Sequence, residues 1–366
     1  MSSPDAATGA KSGPHAPQSF EKGLDRSDTA QARFDEPQRS PIEKLQAHLH
    51  SNPTLVPVIV LILSLIVFGL VAGSAFFSPF NLSLILQQVS IIGVLAAAQS
   101  LVIMTAGIDL SVAAIMMLTS VIVGKLAVSF GVPAPLALLA GLGLGTFCGY
   151  MNGLLVERLK LPPFIATLGT WNIFFALTLW LSGAQSIRSQ DIDAAAPLLK
   201  IFGQSFRIGG ANITWGSVLM VVVFAALWFM LNRTAWGRHV YAVGDDKEAA
   251  KLAGIRTRHV LISVYALAGF ICAIAAWSSI GRVGSISPQS FYEGNLQSIT
   301  AVVIGGISLF GGRGSILGAL FGALIVGVFQ SGLRLAGVDV LWQVFAIGWL
   351  IIIAVGIDQW IRKASK

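Results

Sequence analysis

The sequence predicts an all-α polytopic membrane protein of about ten transmembrane helices. Three observations lead there. Apolar residues make up 55% of the 366 residues and charged residues only 11%, with mean hydropathy +0.77, whereas a soluble domain carries about a quarter charged residues. The apolar residues fall in long runs, and about 20 in a row cross about 30 Å of hydrocarbon. The basic residues behind the +7 net charge stand at the ends of those runs. They form no patch interleaved with aromatics, so the charge marks a membrane and no nucleic-acid partner is expected. Cys148 and Cys272 fall inside apolar runs and read as small core residues, not as a disulfide or a metal pair.

Residues 1–50 carry six basic and seven acidic residues, with Pro4, Pro14, Pro17, Pro37 and Pro41 and few large apolar side chains. They bury too little to repay ordering and are expected to form a disordered cytoplasmic tail. No early apolar run marks a cleavable signal peptide. Ile42, Leu45 and Leu49 share one helical face, which suits a short interfacial helix. The transmembrane domain is expected over 51–360, with spans near 54–75, 88–106, 111–130, 134–156, 163–182, 213–232, 260–280, 296–311, 314–333 and 340–358. The eighth is the shortest. With both termini inside, twelve Lys/Arg fall on the cytoplasmic side and five on the other, which orients the chain by the positive-inside rule. Residues 361–366 make a short basic cytoplasmic tail.

The charged loop 233–259 interrupts this apolar body with six Lys/Arg and three Asp/Glu. Asp245 and Asp246 are N-cap residues, the segment from Glu248 to Ala253 is strongly helix-forming, and Gly254 supplies the stop. A helix of about two turns, near 246–253, is predicted outside the bilayer. So short a helix needs its own chain or a partner to lie against. A solvated connector is the competing reading.

Spans four and nine look alike. Gly141, Gly145, Gly149 and Gly153 recur in one, and Gly314, Gly318 and Gly322 in the other, each giving a bare ridge for helix packing. An offset of five spans inverts the second copy, which predicts an inverted repeat of spans two to five against seven to ten.

Charge is nearly absent from the spans. Asp109, in Thr105-Ala106-Gly107-Ile108-Asp109-Leu110-Ser111, is the only acidic residue between Phe76 and Glu157. Either Asp109 or Ser111 caps the third span, or the segment lines a pathway as a polar break. Lys125 lies near the far end of that span and can snorkel. Ion-coupled carriers keep ionisable relays in the core, and almost none exist here. Nor is there a Gly-x-x-x-x-Gly-Lys-Ser/Thr loop for ATP, so the energy source must be external. The run from Ile304 to Ser315, with five glycines and Arg313, reads as a tight cytoplasmic-side turn.

Together, the Thr-Ala-Gly-Ile-Asp-Leu-Ser segment, the Ile-Gly-Gly-Ile-Ser-Leu-Phe-Gly-Gly-Arg-Gly-Ser segment, and Tyr241-Ala242-Val243-Gly244 running into Glu248-Ala249-Ala250 and Gly254 resemble the permease subunits of bacterial ABC importers for monosaccharides. The resemblance covers about residues 54–360 and looks closest to the fructose-import branch. It implies two permease subunits around one pathway, a cytoplasmic ATPase, a periplasmic sugar-binding protein and residence in the bacterial inner membrane. ATP is used by the partner subunit, and no cofactor is expected on this chain. The family pattern makes the charged loop the coupling element, with Asp246, Glu248, Ala249, Ala250, Lys251, Leu252, Gly254 and Arg256 at the contact. Within it, Ala249, Ala250 and Leu252 are expected to form the packed face. Pathway candidates are Gln99, Asp109, Thr167, Trp171, Asn172 and Gln297, since sugars need hydroxyl partners and a ring face; interfacial anchoring is the alternative role for Trp171. Ala106 and Ala113 depart from the family's glycines. A stand-alone facilitator for small neutral solutes is the competing function. A membrane enzyme lacks support, because no cluster of His, Cys or carboxylates lies in the spans.

Overall fold

Residues 54–363 are described in a computed structural model. The tail 1–50, with its Ile42, Leu45 and Leu49 face, and residues 364–366 lie outside the described residues. Helices form along the apolar runs because hydrocarbon offers backbone groups no partner but the helix itself. In order they are α1 Leu55–Ala72, α2 Pro79–Met104, α3 Val112–Gly124 continued by a π turn Lys125–Ser129, α4 Ala134–Arg158 and α5 Pro163–Ser182. A short α6 Ser189–Ala195, a 3-10 stretch Pro197–Gly203 and the hairpin of β1 Ser205–Ile208 and β2 Ala211–Thr214 follow. Then come α7 Trp215–Arg233, α8 Ala235–Asp245, α9 Lys247–Leu252, α10 Thr257–Val283, α11 Gly294–Ile304, α12 Ile316–Leu335 and α13 Val340–Lys363. Pro79 and Pro163 open their helices at positions where a missing N–H costs nothing.

Among the described residues, eight helices are long and apolar enough to cross a membrane: α1, α2, α3 with its π turn, α4, α5, α7, α10 and α12. The chain is an all-α polytopic membrane protein. Where a full span was expected over 296–311, the structure has the eleven-residue α11 followed by a glycine turn. Glycines at Gly305, Gly306, Gly311, Gly312 and Gly314 end the helix before it reaches span length. The core lies on α2 and α3: 72% of the α3 window is buried against 17% for α1, which is an outer helix.

Two ends of the bundle can be told apart. The Asn212 N–H donates to Ser83 Oγ at 2.7 Å and Gln87 Nε2 donates to the Asn212 carbonyl at 3.3 Å, so the hairpin covers the start of α2. This is the hairpin face. Met104, at the other end of α2, meets the loop that carries α8 and α9, which defines the loop face.

After α2 the chain turns at Ala106 (φ +60°), doubles back and starts α3 part-way along the bundle. After α10 it turns at Gly284 (φ +74°), doubles back from the hairpin face and starts α11. A Cβ on Gly294 would stand 3.2 Å from Ala113 Cβ and 3.3 Å from Leu95 Cδ1, so α3 and the shorter α11 begin side by side in the interior. Entry from opposite faces is the relation an inverted repeat requires.

The glycine ridges lie at the closest helix contacts. A Cβ at Gly149 would run into the Tyr265 carbonyl, one at Gly145 would stand 2.6 Å from the Gly269 carbonyl, and one at Gly153 3.0 Å from Ile262 Cα, all on α10. Gly141 instead meets the Val123 side chain of α3. Gly318 and Gly322 abut the carbonyls of Gly305 and Ala301, and Gly314 abuts Ile307. Gly149→Val is therefore expected to cost about 3 kcal/mol or more, read as a lowered thermal midpoint in detergent or failure to accumulate. Gly143→Ala, whose Cβ meets nothing within 4 Å, should leave the midpoint unchanged or slightly raised.

Candidate functional site

The charged loop folds as two helices. Thr234 Oγ1 accepts from the Gly237 N–H at 3.2 Å and opens α8, which precedes the helix predicted near 246–253. Trp236 Nε1 donates to Ser263 Oγ at 2.8 Å and Tyr241 Oη to the Gly314 carbonyl at 3.0 Å, fixing α8 to α10 and to the glycine turn. Burial raises the Tyr241 phenol above its ordinary pKa, so it stays a neutral donor. Next, Asp246 Oδ1 accepts from the Glu248 and Ala249 N–H groups, both at 2.9 Å, and starts α9. Gly254 at φ +85° ends it, with Gly254 N–H donating to Lys251 O and Ile255 N–H to Ala250 O, both at 3.0 Å. Lys247 pairs with Glu157 of α4 at 2.7 Å.

Ala250 is buried against the chain, while Leu252 is 90% exposed and Glu248, Ala249, Lys251 and Arg256 are exposed as well. The single packed face expected of Ala249, Ala250 and Leu252 is thus divided. Neighbouring helical residues point about 100° apart, so Ala250 faces inward when Ala249 and Leu252 face out.

Beneath α8 and α9, three stretches of backbone meet without side chains between them. The Gly312 N–H donates to the Met104 carbonyl at 3.0 Å. A Cβ on Gly244 would strike that carbonyl, and one on Gly311 would stand 2.6 Å from the Gly244 carbonyl and 2.7 Å from Ala106 N. The loop, the end of α2 and the turn after α11 therefore form one junction.

Next to the junction the chain re-enters the bundle, and neutral side chains hold it. Gln99, in its hydrogen-bonding orientation, donates to the Asp109 carbonyl at 2.9 Å and accepts from the Asp109 N–H at 3.3 Å. Thr167 Oγ1 accepts from the Leu110 N–H at 3.1 Å, and its single proton is shared between the Pro163 carbonyl of its own helix at 2.8 Å and the Ile108 carbonyl at 3.1 Å. Asp109, 1% exposed, takes the N–H and Oγ–H of Ser111 at 2.7 Å each, and Asn152 Nδ2 donates to Ser111 Oγ at 2.7 Å. The sequence reading gave the α3 cap to Asp109 or Ser111. In the structure Ser111 makes no side-chain cap, and Asn295 Oδ1 of α11 accepts the Ala113 N–H at 2.8 Å. A cap from a helix so distant in the chain is invisible to local sequence.

Gln99, Asp109 and Thr167 thus converge on one septum. Along α2 it falls between the linings of two cavities. On the loop face a space of about 610 Å³ is lined by Thr105, Gly107, Glu157, Gly244, Glu248 and Tyr265. On the hairpin face a vestibule of about 560 Å³ is lined by Gln88, Gln297, Gln330 and Gln343. Along α2, Gln88 stands about 16 Å above Gln99 and Thr105 about 9 Å below it. Of the sequence candidates only Gln297 lines the vestibule. Trp171 reaches its edge through Tyr292, ring centroids 5.4 Å apart, while Asn172 is exposed and bonds its own helix at Leu168 O, 2.9 Å. Gln88, Gln330 and Gln343 were missed, although glutamine inside an apolar run is itself a signal.

Two helices that begin side by side in the interior, a cavity on each face and a septum between them define a polytopic membrane permease. Residues 81–355 match the family described as branched-chain amino acid transport system, permease component, and the chain belongs to that family. It is 60% identical over 348 residues to the fructose import permease protein FrcC of Rhizobium meliloti, covering 95% of this chain and 97% of that one. It is 38% identical to the ribose import permease protein RbsC of Bacillus subtilis, over 81% of this chain and 89% of that one. It is 32% identical to the D-allose transport system permease protein AlsC of Escherichia coli, again over 81% and 89%. No solved structure matches the chain.

Thr167→Val keeps the shape and removes both bonds to the re-entrant segment. A loss of about 1–3 kcal/mol in unfolding stability is expected, together with faster hydrogen–deuterium exchange in peptides spanning 105–112. Asn172→Ala should change neither.

Proposed function

We propose that this chain is the membrane-spanning permease subunit of an ATP-driven monosaccharide importer of the bacterial inner membrane, with fructose as the favoured cargo. The observation that carries the reading is 60% identity across 95% of the chain to a fructose import permease. The outward-facing α9, with Leu252 at its tip, supports a docking role for the loop face. That face is assigned to the cytoplasm because it receives Arg158, Lys160, Arg313 and the bases of the loop. The hairpin face then meets a periplasmic sugar-binding protein, and two copies of the chain assemble around the ATPase pair. ATP is bound and hydrolysed by those partners.

On this reading, closure of the ATPase displaces α9. Asp246 and Gly254 keep α9 rigid, and the Lys247–Glu157 pair passes the displacement to α4. Through Gly244 it reaches the end of α2 and the turn at Gly311 and Gly312 together. Both ends of the septum then shift, and the cargo space opens alternately to each face. A ligand drives such a change only by binding the two states differently, so the α9 contact must differ between them.

Burying a leucine side chain contributes about 1.5–3 kcal/mol, and each 1.4 kcal/mol is about tenfold in affinity. Leu252→Asp is therefore expected to weaken ATPase binding by about tenfold or more and to abolish ATP-dependent fructose uptake in proteoliposomes containing the binding protein and ATPase. Glu248→Arg should act in the same direction. Uptake that persists in both variants and needs no ATPase would make the chain a facilitator. Gly244→Ala tests the junction separately: ATPase binding is expected to survive while uptake is lost.

A further inference from the structure

The vestibule on the hairpin face is lined by an unusual concentration of side-chain amides. Four glutamines reach it from four helices: Gln88 from α2, Gln297 from α11, Gln330 from α12 and Gln343 from α13. All four are half-buried in a body dominated by aliphatic residues. Their hydrogen-bonding capacity is largely unspent. Gln88 Nε2 donates to Gln330 Oε1, and Gln343 Nε2 donates to the Val338 carbonyl at 2.8 Å. That leaves Gln88 Oε1, Gln330 Nε2 and Gln343 Oε1 without a partner among the described residues, along with the whole Gln297 amide.

An amide offers a donor and an acceptor side by side without charge. A sugar hydroxyl needs the same pair. A carboxylate, by contrast, only accepts and a guanidinium only donates. The charged residues of the vestibule lining, Arg282, Arg334 and Glu293, are all exposed, whereas the four glutamines are half-buried. An amino acid zwitterion would need charge at depth.

The floor adds a second observation. Phe291 and Tyr292 line the vestibule, and Tyr292 lies 5.4 Å from Trp171 and 5.2 Å from Phe175 between ring centroids, forming an aromatic wall for the C–H face of a pyranose or furanose ring. Phe291 holds φ at +63°, a backbone region that a bulky residue rarely occupies and that recurs at ligand clamps. The volume of about 560 Å³ lies within the range of about 300–1,000 Å³ usual for small-molecule sites.

Resting on the permease reading above, we propose that this vestibule is the binding subsite for a neutral monosaccharide, with Gln297 and Gln330 as its principal hydroxyl ligands and Phe291 and Tyr292 as its ring platform. Neither the septum nor the docking helix takes part in this recognition.

The test uses the full chain reconstituted with its ATPase and binding protein, and D-fructose, D-ribose and L-leucine as probes. Gln297→Leu combined with Gln330→Leu is expected to raise the KM for D-fructose at least tenfold while ATPase docking remains as in the unaltered chain. A second measurement does not depend on transport. Gln297→Cys, in a chain whose own cysteines are both buried, is expected to react with a water-soluble maleimide and to be protected at least threefold by saturating D-fructose, but not by L-leucine. Fructose transport with an unchanged KM in the double variant, or labelling of Gln297→Cys indifferent to fructose, overturns the subsite and leaves the importer reading standing. If the unaltered chain moves L-leucine and no sugar, the importer reading fails and the subsite with it.

Discussion

Residues 105–111 leave helical geometry inside the bundle, and there each peptide group needs a partner that hydrocarbon does not provide. Gln99 of α2 and Thr167 of α5 supply such partners at Asp109, Ile108 and Leu110, while Asn152 of α4 holds the Ser111 hydroxyl and Asn295 of α11 takes the Ala113 N–H at the start of α3. Their side chains are short or held close, so the helices that carry them must approach the break. That closeness is what the glycine ridges supply. Gly145, Gly149 and Gly153 let α4 settle on α10, which brings Asn152 to Ser111, and Gly318 and Gly322 let α12 settle on α11, which supports Asn295 at Ala113. Packing and polar satisfaction are therefore one constraint, since loosening either ridge would strand buried peptide groups at about 1–3 kcal/mol each.

The pins are neutral for a physical reason. On the importer reading the segment rearranges in each transport cycle, and a buried charge left without its partner would cost about 3–5 kcal/mol. Among the described residues the ion pairs Lys200–Asp193, Lys247–Glu157 and Lys251–Glu248 all involve exposed or half-exposed groups. Asp109 is the exception in charge but not in behaviour. Its carboxylate takes the N–H and the hydroxyl of Ser111, two residues on, so its partners lie within the re-entrant segment itself. On the importer reading, the absence of charge that points away from ion coupling in the sequence also suits a septum that opens.

The sequence reveals what is local. Hydropathy locates the long helices, because a span must be continuous and apolar. Asp246 and Gly254 mark α9, because caps act within a few residues. Other features are set across distance. The Asn295 cap on α3 joins positions far apart in the chain, and no spacing rule reaches that far. The early end of α11 depends on glycines that read equally well as a turn at a membrane surface. The β1–β2 hairpin went unread although Gly209 and Gly210, both at positive φ, sit between two short alternating runs. In a chain so apolar, strand-like alternation is a weak contrast. The glutamines of the vestibule were each visible, but their convergence from four helices is a property of the packing alone.

Helices α3 and α11 share their interior contact, and this bears on how a push at one face reaches the other. Asn295 opens α11 and holds the first turn of α3, so the halves of the repeat cannot shift independently without exposing the Ala113 N–H. At the loop face the same halves are joined again through Met104 and Gly312. Displacing Gly244 therefore acts on both at once. The septum bonds that would have to exchange are two from Gln99, two from Thr167, one from Asn152 and one from Asn295. At about 0.5–1.5 kcal/mol net for each they sum to several kcal/mol. Moving a two-state equilibrium from 1:99 to 99:1 takes about 5.5 kcal/mol. On the importer reading, a septum held by a handful of neutral hydrogen bonds is strong enough to stay closed at rest, and weak enough for a differential contact at α9 to open it.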